Sequence, residues 1–347
     1  MTPSTSRSSH PSVKNKPVSR SSGKARVQKS KPLAAKNETG ERSGIQTFTA
    51  HDLSKMKFPS IRFAIPSYVP EGLTLLCGKP KIGKSWMSLD FAMAIATGGN
   101  ALGSIPCEQG TVLYCALEDN RRRLQRRMRH RYGDESTWPK SFHFTTQMNR
   151  LDDGGLDDLR DWIVENDPSL IIIDTLVCVR AQKGRDSGTG YDADYAALAP
   201  LQELAGEFGV SIIVIHHLRK MAGDDPLDMV SGTTGLTGAV DTILILNRDG
   251  NGVTLYGRGR EIEEVETSLK LEHGAWKVIG PASEARLSDE RKAIIDIVAG
   301  ADKPLSPSAI AEALNTDENN IKQLLRKMVN AGELEKRKRG QYELPKN

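Results

Sequence analysis

The sequence predicts an α/β protein with a doubly wound, mostly parallel sheet and a small second domain at its C-terminal end. Two observations predict it. Between about residues 67 and 280, short apolar runs alternate with helical patterns. Runs such as Leu170-Ile171-Ile172-Ile173 are unbroken, which marks strands covered on both faces. After residue 287 the pattern changes to three short helical stretches and a basic hairpin.

Residues 1–45 come first. They are Ser, Lys, Arg and Pro with almost no large apolar side chains. Burial cannot offset the chain entropy of such a segment, so a disordered tail is expected. Residues 1–42 hold ten Lys and Arg against Glu38 and Glu41, a charge of +8; with +4 for the whole chain, the remainder carries −4. The arm reads either as a nucleic-acid contact or as a solubilising tail.

The large domain is expected over residues 46–280. Strands are expected at 73–77, 112–116, 142–145, 170–174, 211–215 and 242–246, with helices at 85–97, 121–132, 156–166 and 193–208. Runs at 253–256, 268–271 and 276–278 read as hairpin strands at one edge. Residues 281–287 read as a linker inside a winged-helix-like domain over 281–347. That domain has helices at 288–299, at 308–314 (capped by Ser306 or Ser308) and at 318–330 (capped by Thr316 or Asp317), then a hairpin at 333–344.

Composition narrows the class. No apolar run approaches the roughly 18 residues of a membrane-spanning helix, and no apolar stretch follows the basic N-terminus as in a secretory signal. Of the four cysteines, Cys77 and Cys115 fall in apolar strand-like runs, and Cys107 and Cys178 form no C-x-x-C pair. Reduced thiols in a cytoplasmic protein are expected.

The sharpest motif is Gly78-Lys79-Pro80-Lys81-Ile82-Gly83-Lys84-Ser85, which fits G-x-x-x-x-G-K-[ST] at every fixed position. A strand precedes it and a helix follows. The glycines let backbone N–H groups wrap a phosphate, and the helix aims its positive end at the same charge. Lys84 then reaches the β and γ phosphates of ATP, and the Ser85 hydroxyl holds Mg²⁺. Two acidic strand ends follow. Asp174 closes the 170–174 strand and is expected in the Mg²⁺ shell. Glu118, at the tip of the 112–117 run, is the candidate general base for the attacking water, with Asp119 or Asn120 capping the next helix.

The ordered set of this loop, VLYCALEDNRRRLQRRM, LIIIDTL, VIHHLRK, GTTGLTGAVDTIL and YGRGREIEE resembles the RepA-type branch of RecA-like ATPases, with DnaB-type replicative helicases as more distant relatives. The resemblance spans about residues 45–280. It implies that Lys84 and Ser85 are the phosphate-loop pair, Glu118 the catalytic glutamate and Asp174 the Walker B aspartate. It further implies that His216 or His217 is the sensor of the γ-phosphate, and that Arg258 and Arg260 reach a neighbouring subunit's nucleotide. The family commonly forms rings of six around single-stranded DNA, which implies a homo-oligomer. The residues themselves place Arg258 and Arg260 on one face of a strand, either as fingers acting in trans or as a charged edge paired with Glu261, Glu263 and Glu264.

Two loops suit a ring channel that grips phosphates: residues 180–191, with Lys183 and Arg185, and residues 218–238, with Arg219 and Lys220. Neither carries interleaved aromatics, apart from Tyr191. Seven arginines within residues 121–131 make a positive patch for DNA or for acidic faces of neighbouring subunits. In the C-terminal domain, Lys322, Arg326 and Lys327 and the run Lys336-Arg337-Lys338-Arg339 suit duplex DNA, although such domains also bind proteins. The expectation is an ATP-dependent DNA motor, a ring-forming replicative helicase of a plasmid, prophage or other mobile element. The rival is an ATP-switched DNA-binding protein that does not unwind. A small-molecule kinase would need a lid and an acceptor site, and neither is evident.

Overall fold

The computed structural model describes residues 47–133, 138–180, 190–218, 225–230, 234–250, 252–301, 303–338 and 340–345. The basic tail, Lys183, Arg185, Arg219, Lys220 and Arg339 lie outside the described residues.

The chain begins with α1 (Ala50–Lys55), fixed by a capping box in which the Thr49 hydroxyl accepts from the Asp52 N–H and the Asp52 carboxylate accepts from the Thr49 N–H. A small hairpin, β1 (Phe63–Ile65) and β2 (Val69–Pro70), leads into β3 (Gly72–Gly78) and α2 (Lys84–Thr97). A second small hairpin, β4 (Asn100–Ala101) and β5 (Ile105–Pro106), precedes β6 (Val112–Ala116), α3 (Arg121–Tyr132) and β7 (Phe142–Thr145). Then come α4 (Leu156–Asn166), β8 (Leu170–Asp174), α5 (Leu176–Val179), α6 (Gly190–Phe208), β9 (Ser211–His217), α7 (Thr234–Gly238) and β10 (Thr242–Asp249).

Strands β10, β3, β9, β8, β6 and β7 lie side by side in that order and run parallel. Beyond β10 the sheet continues antiparallel through β11 (Gly252–Gly259), β12 (Val265–Glu272) and β13 (Ala275–Pro281), nine strands in all. The unbroken apolar runs become strands buried on both faces. On β8, Leu170 and Ile172 pack under α2 and α3, while Ile171 and Ile173 pack under α4, α6 and α7. This is the doubly wound, mostly parallel α/β sheet that the alternation predicts. One feature of its order matters for chemistry. β9 lies between β3 and β8, so the loop after β3 and the acid ending β8 face each other across a crevice at the strands' C-terminal ends.

The segment expected as a linker is helix instead. α8 (Ala282–Ala299) follows β13 with no break, and Pro281 is its N-cap residue. A proline there closes the strand without disturbing the helix, because the first helical N–H groups have no intrahelical acceptor. Residues 282–287 are mostly good helix formers, so the turn suggested by Pro281 is a helix start. α9 (Pro307–Leu314) is capped by Ser306 and α10 (Glu318–Asn330) by Asp317. A hairpin, β14 (Glu335–Lys338) and β15 (Gln341–Glu343), ends the described chain, and Leu305 bridges to Tyr342 through two backbone hydrogen bonds of 2.9 Å. Ile294, Val298, Ile310, Ile321, Leu325 and Met328 form a hydrophobic cluster here, separate from the two that flank the large sheet. Among the described residues, no helix is long and apolar enough to cross a membrane.

Candidate active site

The glycine-rich sequence forms the turn from β3 to α2, and its glycines stand where side chains do not fit. A Cβ on Gly78 would come within 3.0 Å of both the Leu246 carbonyl and the Ile82 side chain. Gly83, the N-cap of α2, has a φ of 114°, and a Cβ on it would lie 2.8 Å from the Trp276 ring. Lys84 opens α2 and is 6% exposed. Its ammonium donates to the carbonyls of Gly78 at 2.6 Å and Lys79 at 3.1 Å, and lies 3.4 Å from His217 Nδ1. Burial lowers its proton affinity, against the pull of the negative groups around it. A buried cation held by loop carbonyls, with no ion pair to a carboxylate among the described residues, fits a phosphate chain as its missing anion.

Asp174 closes β8 on the other side of the crevice and is 7% exposed. Its Oδ2 accepts from the hydroxyl of fully buried Tyr114 at 2.8 Å, and Ser85 hydrogen-bonds it as well. Burial holds its carboxyl above the usual carboxylate range, and the bonds from Tyr114 and Ser85 work against that rise. Glu118, just past β6, is exposed, and its Oε1 accepts from the Thr175 hydroxyl at 2.9 Å. Neighbouring residues take other work. Asp119 pairs with Arg123 and, at 3.0 Å, with Arg127, while Asn120 caps α3 by accepting from the Arg123 N–H. The glutamate is therefore left facing the cleft.

Gly83, Lys84, Ser85, Glu118, Asp174 and Thr175 line one cleft of about 580 Å³, together with Pro80, Lys81 and His217. Of the two histidines, His217 is the one in the cleft. His216, one residue earlier on β9, falls on the other face of the strand and is not among the lining residues. The two cannot be told apart by sequence, because both follow the same apolar run and the phase of the strand is set by its pairing with β3 and β8. Arg258 and Arg260 are also absent from this cleft. They are about half exposed or more. Arg260 pairs with Asp241 at 3.1 Å and Arg258 lies 3.9 Å from Asp225, so their partners are not the glutamates that follow them. Sequence reasoning missed the contribution of α3. Arg123, Arg126 and Arg127 line the cleft, Arg127 stacks 4.6 Å from the Trp86 ring centre, and Arg131 bonds buried Asp90 of α2 at 3.2 Å. The signal was available in the helical spacing of 123, 127 and 131, which share one face.

Residues 39–223 match the AAA domain family. The chain belongs to this family. The matched span of the AAA domain includes the phosphate loop, Glu118, Asp174 and both histidines and ends before Arg258 and Arg260. With the loop, the buried lysine and the two acids around one crevice, this AAA domain is a P-loop ATP hydrolase. Among solved structures, the chain is similar to the ATPase domain of G40P (17% identity, 60% of this chain and 84% of that one, TM-score 0.47). It is also similar to a DnaB-like replicative helicase solved for its interactions with primase (16%, 65% and 66%, TM-score 0.48). A third is a KaiC-like protein from Pyrococcus horikoshii OT3 (16%, 60% and 90%, TM-score 0.41). No curated protein matches the chain.

The raised affinity of Asp174 for its proton has a consequence for stability. A carboxylate whose folded-state pKa lies above its unfolded value costs stability while ionised, and the cost is relieved as pH falls through the folded value. Asp174→Asn keeps an acceptor for Tyr114 and removes the buried charge. The variant is expected to melt higher than wild type at neutral pH without ligand, with the difference shrinking as pH falls. Thermal melts of both proteins across pH check this. A variant that melts lower at neutral pH contradicts it.

Proposed function

We propose that this AAA domain is the motor of a ring-forming assembly that hydrolyses ATP while holding single-stranded DNA, as a replicative helicase of a mobile element does. The observation that carries the reading is a separation. Lys84, Ser85, Glu118, Asp174 and His217 share one cleft, whereas Arg258 and Arg260 do not line it. In this reading the loop backbone and Lys84 take the phosphates of ATP, and Ser85 and Asp174 hold Mg²⁺, which neutralises phosphate charge when bound. Glu118, aimed by Thr175, accepts the proton of the attacking water, and His217 stands beside Lys84 to sense the γ-phosphate. A further arginine then comes from a neighbour, in trans. Arg258 suits that role better than Arg260, because Arg260 holds Asp241, which in turn accepts from the Leu73 N–H of β3 at 2.9 Å.

Single-stranded DNA fits the strand-end side of the sheet. Tyr191 and Tyr195, at the start of α6, are both about half exposed and lie nearly parallel, with ring centres 6.5 Å apart. Such rings suit base stacking without sequence preference. The boundaries of 46–280 for the motor and 281–347 for a winged-helix-like domain belong to the same reading. A second reading, an ATP-switched binder of duplex DNA or of a protein, draws on the C-terminal part. α10 exposes Lys322, Arg326 and Lys327 beside a hairpin with Lys336, Arg337 and Lys338.

A mixing experiment tests the ring. Arg258→Ala is expected to lose DNA-stimulated ATP hydrolysis, and so is Lys84→Ala. When the two inactive proteins are mixed, activity should return in part, because a Lys84→Ala subunit still offers Arg258 to a neighbour whose phosphate loop is intact. No recovery in the mixture would remove the trans role of Arg258. Hydrolysis that needs Lys84 but ignores single strands would favour the switch.

A further inference from the structure

The outermost strand of the sheet reaches the phosphate loop. Among the described residues β13 has β12 as its one neighbour in the sheet, yet its Trp276 is fully buried. The indole N–H donates to the Gly83 carbonyl at 3.1 Å. That carbonyl is also the first acceptor of α2, taking the N–H groups of Trp86 at 3.1 Å and Met87 at 3.0 Å. The ring packs where a Cβ of residue 83 would stand, so a glycine at φ 114° and the indole fit each other. The same hairpin touches the helix start again. Gly274, in the β12–β13 turn with φ 78°, lies against the Trp86 ring, which a Cβ would meet at 2.9 Å. Lys84 and Ser85 lie between these two points of contact, and Trp276 itself does not line the cleft.

We propose that Trp276 is a positioning residue for the nucleotide: it holds the Gly83 end of the phosphate loop in its binding shape before ATP arrives. A glycine-rich loop has many conformations, and ordering it on binding costs affinity. The indole orders it in advance. Once phosphates fill the loop they hold it themselves, so the groups that act in the transition state work equally well with or without the indole. The effect of Trp276 is therefore on binding, with the chemical step left alone. This rests on the ATP-hydrolase reading of the cleft.

Trp276→Phe keeps an aromatic ring and removes the donor. It is expected to raise KM for ATP and Kd for MgADP by about tenfold, with kcat within about twofold of wild type. KM and Kd within twofold of wild type would overturn the proposal. So would a fall in kcat and melting temperature with no change in nucleotide affinity, since that is what a purely structural tryptophan gives. A wild type that binds no nucleotide, or a Lys84→Ala variant that binds it unchanged, would instead sink the reading of the cleft. If Trp276→Phe does not fold, the wild type answers alone. The chain has four tryptophans, so ¹⁵N-tryptophan labelling gives four indole N–H signals, assigned by replacing the other three. The Trp276 signal should move on adding MgADP, because its acceptor belongs to the phosphate loop. A signal that stays in place at saturating MgADP overturns the proposal.

Discussion

Replacing Lys84 with alanine is expected to reduce ATP hydrolysis by about 10²–10³-fold, the range for losing one preorganised charge aimed at a transition state. The magnitude follows from where the lysine sits. Lys84 is 6% exposed, so water screens it little, and its ammonium lies among loop carbonyls that cannot neutralise phosphate. The same burial predicts what happens without nucleotide. Burial lowers the proton affinity of Lys84, so its charged form costs the empty protein stability at neutral pH, a cost relieved as pH rises through the folded value. The alanine variant should therefore stay folded on its own and fail to gain thermal stability from MgADP, which the wild type gains by binding. Melting curves with and without MgADP, beside a phosphate-release assay, separate lost binding from lost folding. Hydrolysis within tenfold of wild type would mean that the cleft is not the hydrolytic site.

How far the sequence reaches can be judged residue by residue. Strand and helix positions in the large domain were legible because burial on both faces leaves an apolar run without polar interruption, as in β3 and β8. The phosphate loop was legible because its geometry admits few residue types, and Gly78 and Gly83 stand where side chains collide. Short hairpins were not. β1–β2 and β4–β5 have two or three residues per strand, too few for a period to register. α1 carried its capping box in plain sight at Thr49 and Asp52, but six residues with none buried give no apolar stripe. The choice between His216 and His217 needed the phase of β9, and that phase is set by pairing with β3 and β8 on either side. Trp276 was invisible as a site residue for a different reason. It acts across 193 positions of sequence, and an apolar run in an edge hairpin looks the same whether its tryptophan packs on a core or on a phosphate loop.

Exchanging Glu118 for glutamine should separate binding from chemistry. The side chain ends on an exposed turn, with one oxygen taken by the Thr175 hydroxyl and the other without a hydrogen-bond partner among the described residues, where a water in the cleft can meet it. Glutamine keeps the length and can keep the bond to Thr175, but it cannot take a proton from the water. Loss of a positioned base costs about 10²–10⁴-fold in rate. Hydrolysis should fall by that amount while the affinity for MgATP stays near that of wild type, because the phosphates are held from the other side, by the loop and Lys84. Asp119 cannot substitute, since Arg123 and Arg127 occupy its carboxylate. The variant should therefore trap ATP, and rapid filtration after mixing with labelled ATP would find unhydrolysed nucleotide on the protein. If the variant hydrolyses at the wild-type rate, the base lies elsewhere, and His217, 3.4 Å from Lys84, becomes the next residue to replace. If it fails to retain ATP at all, Glu118 serves binding and the division of labour across the cleft is wrong.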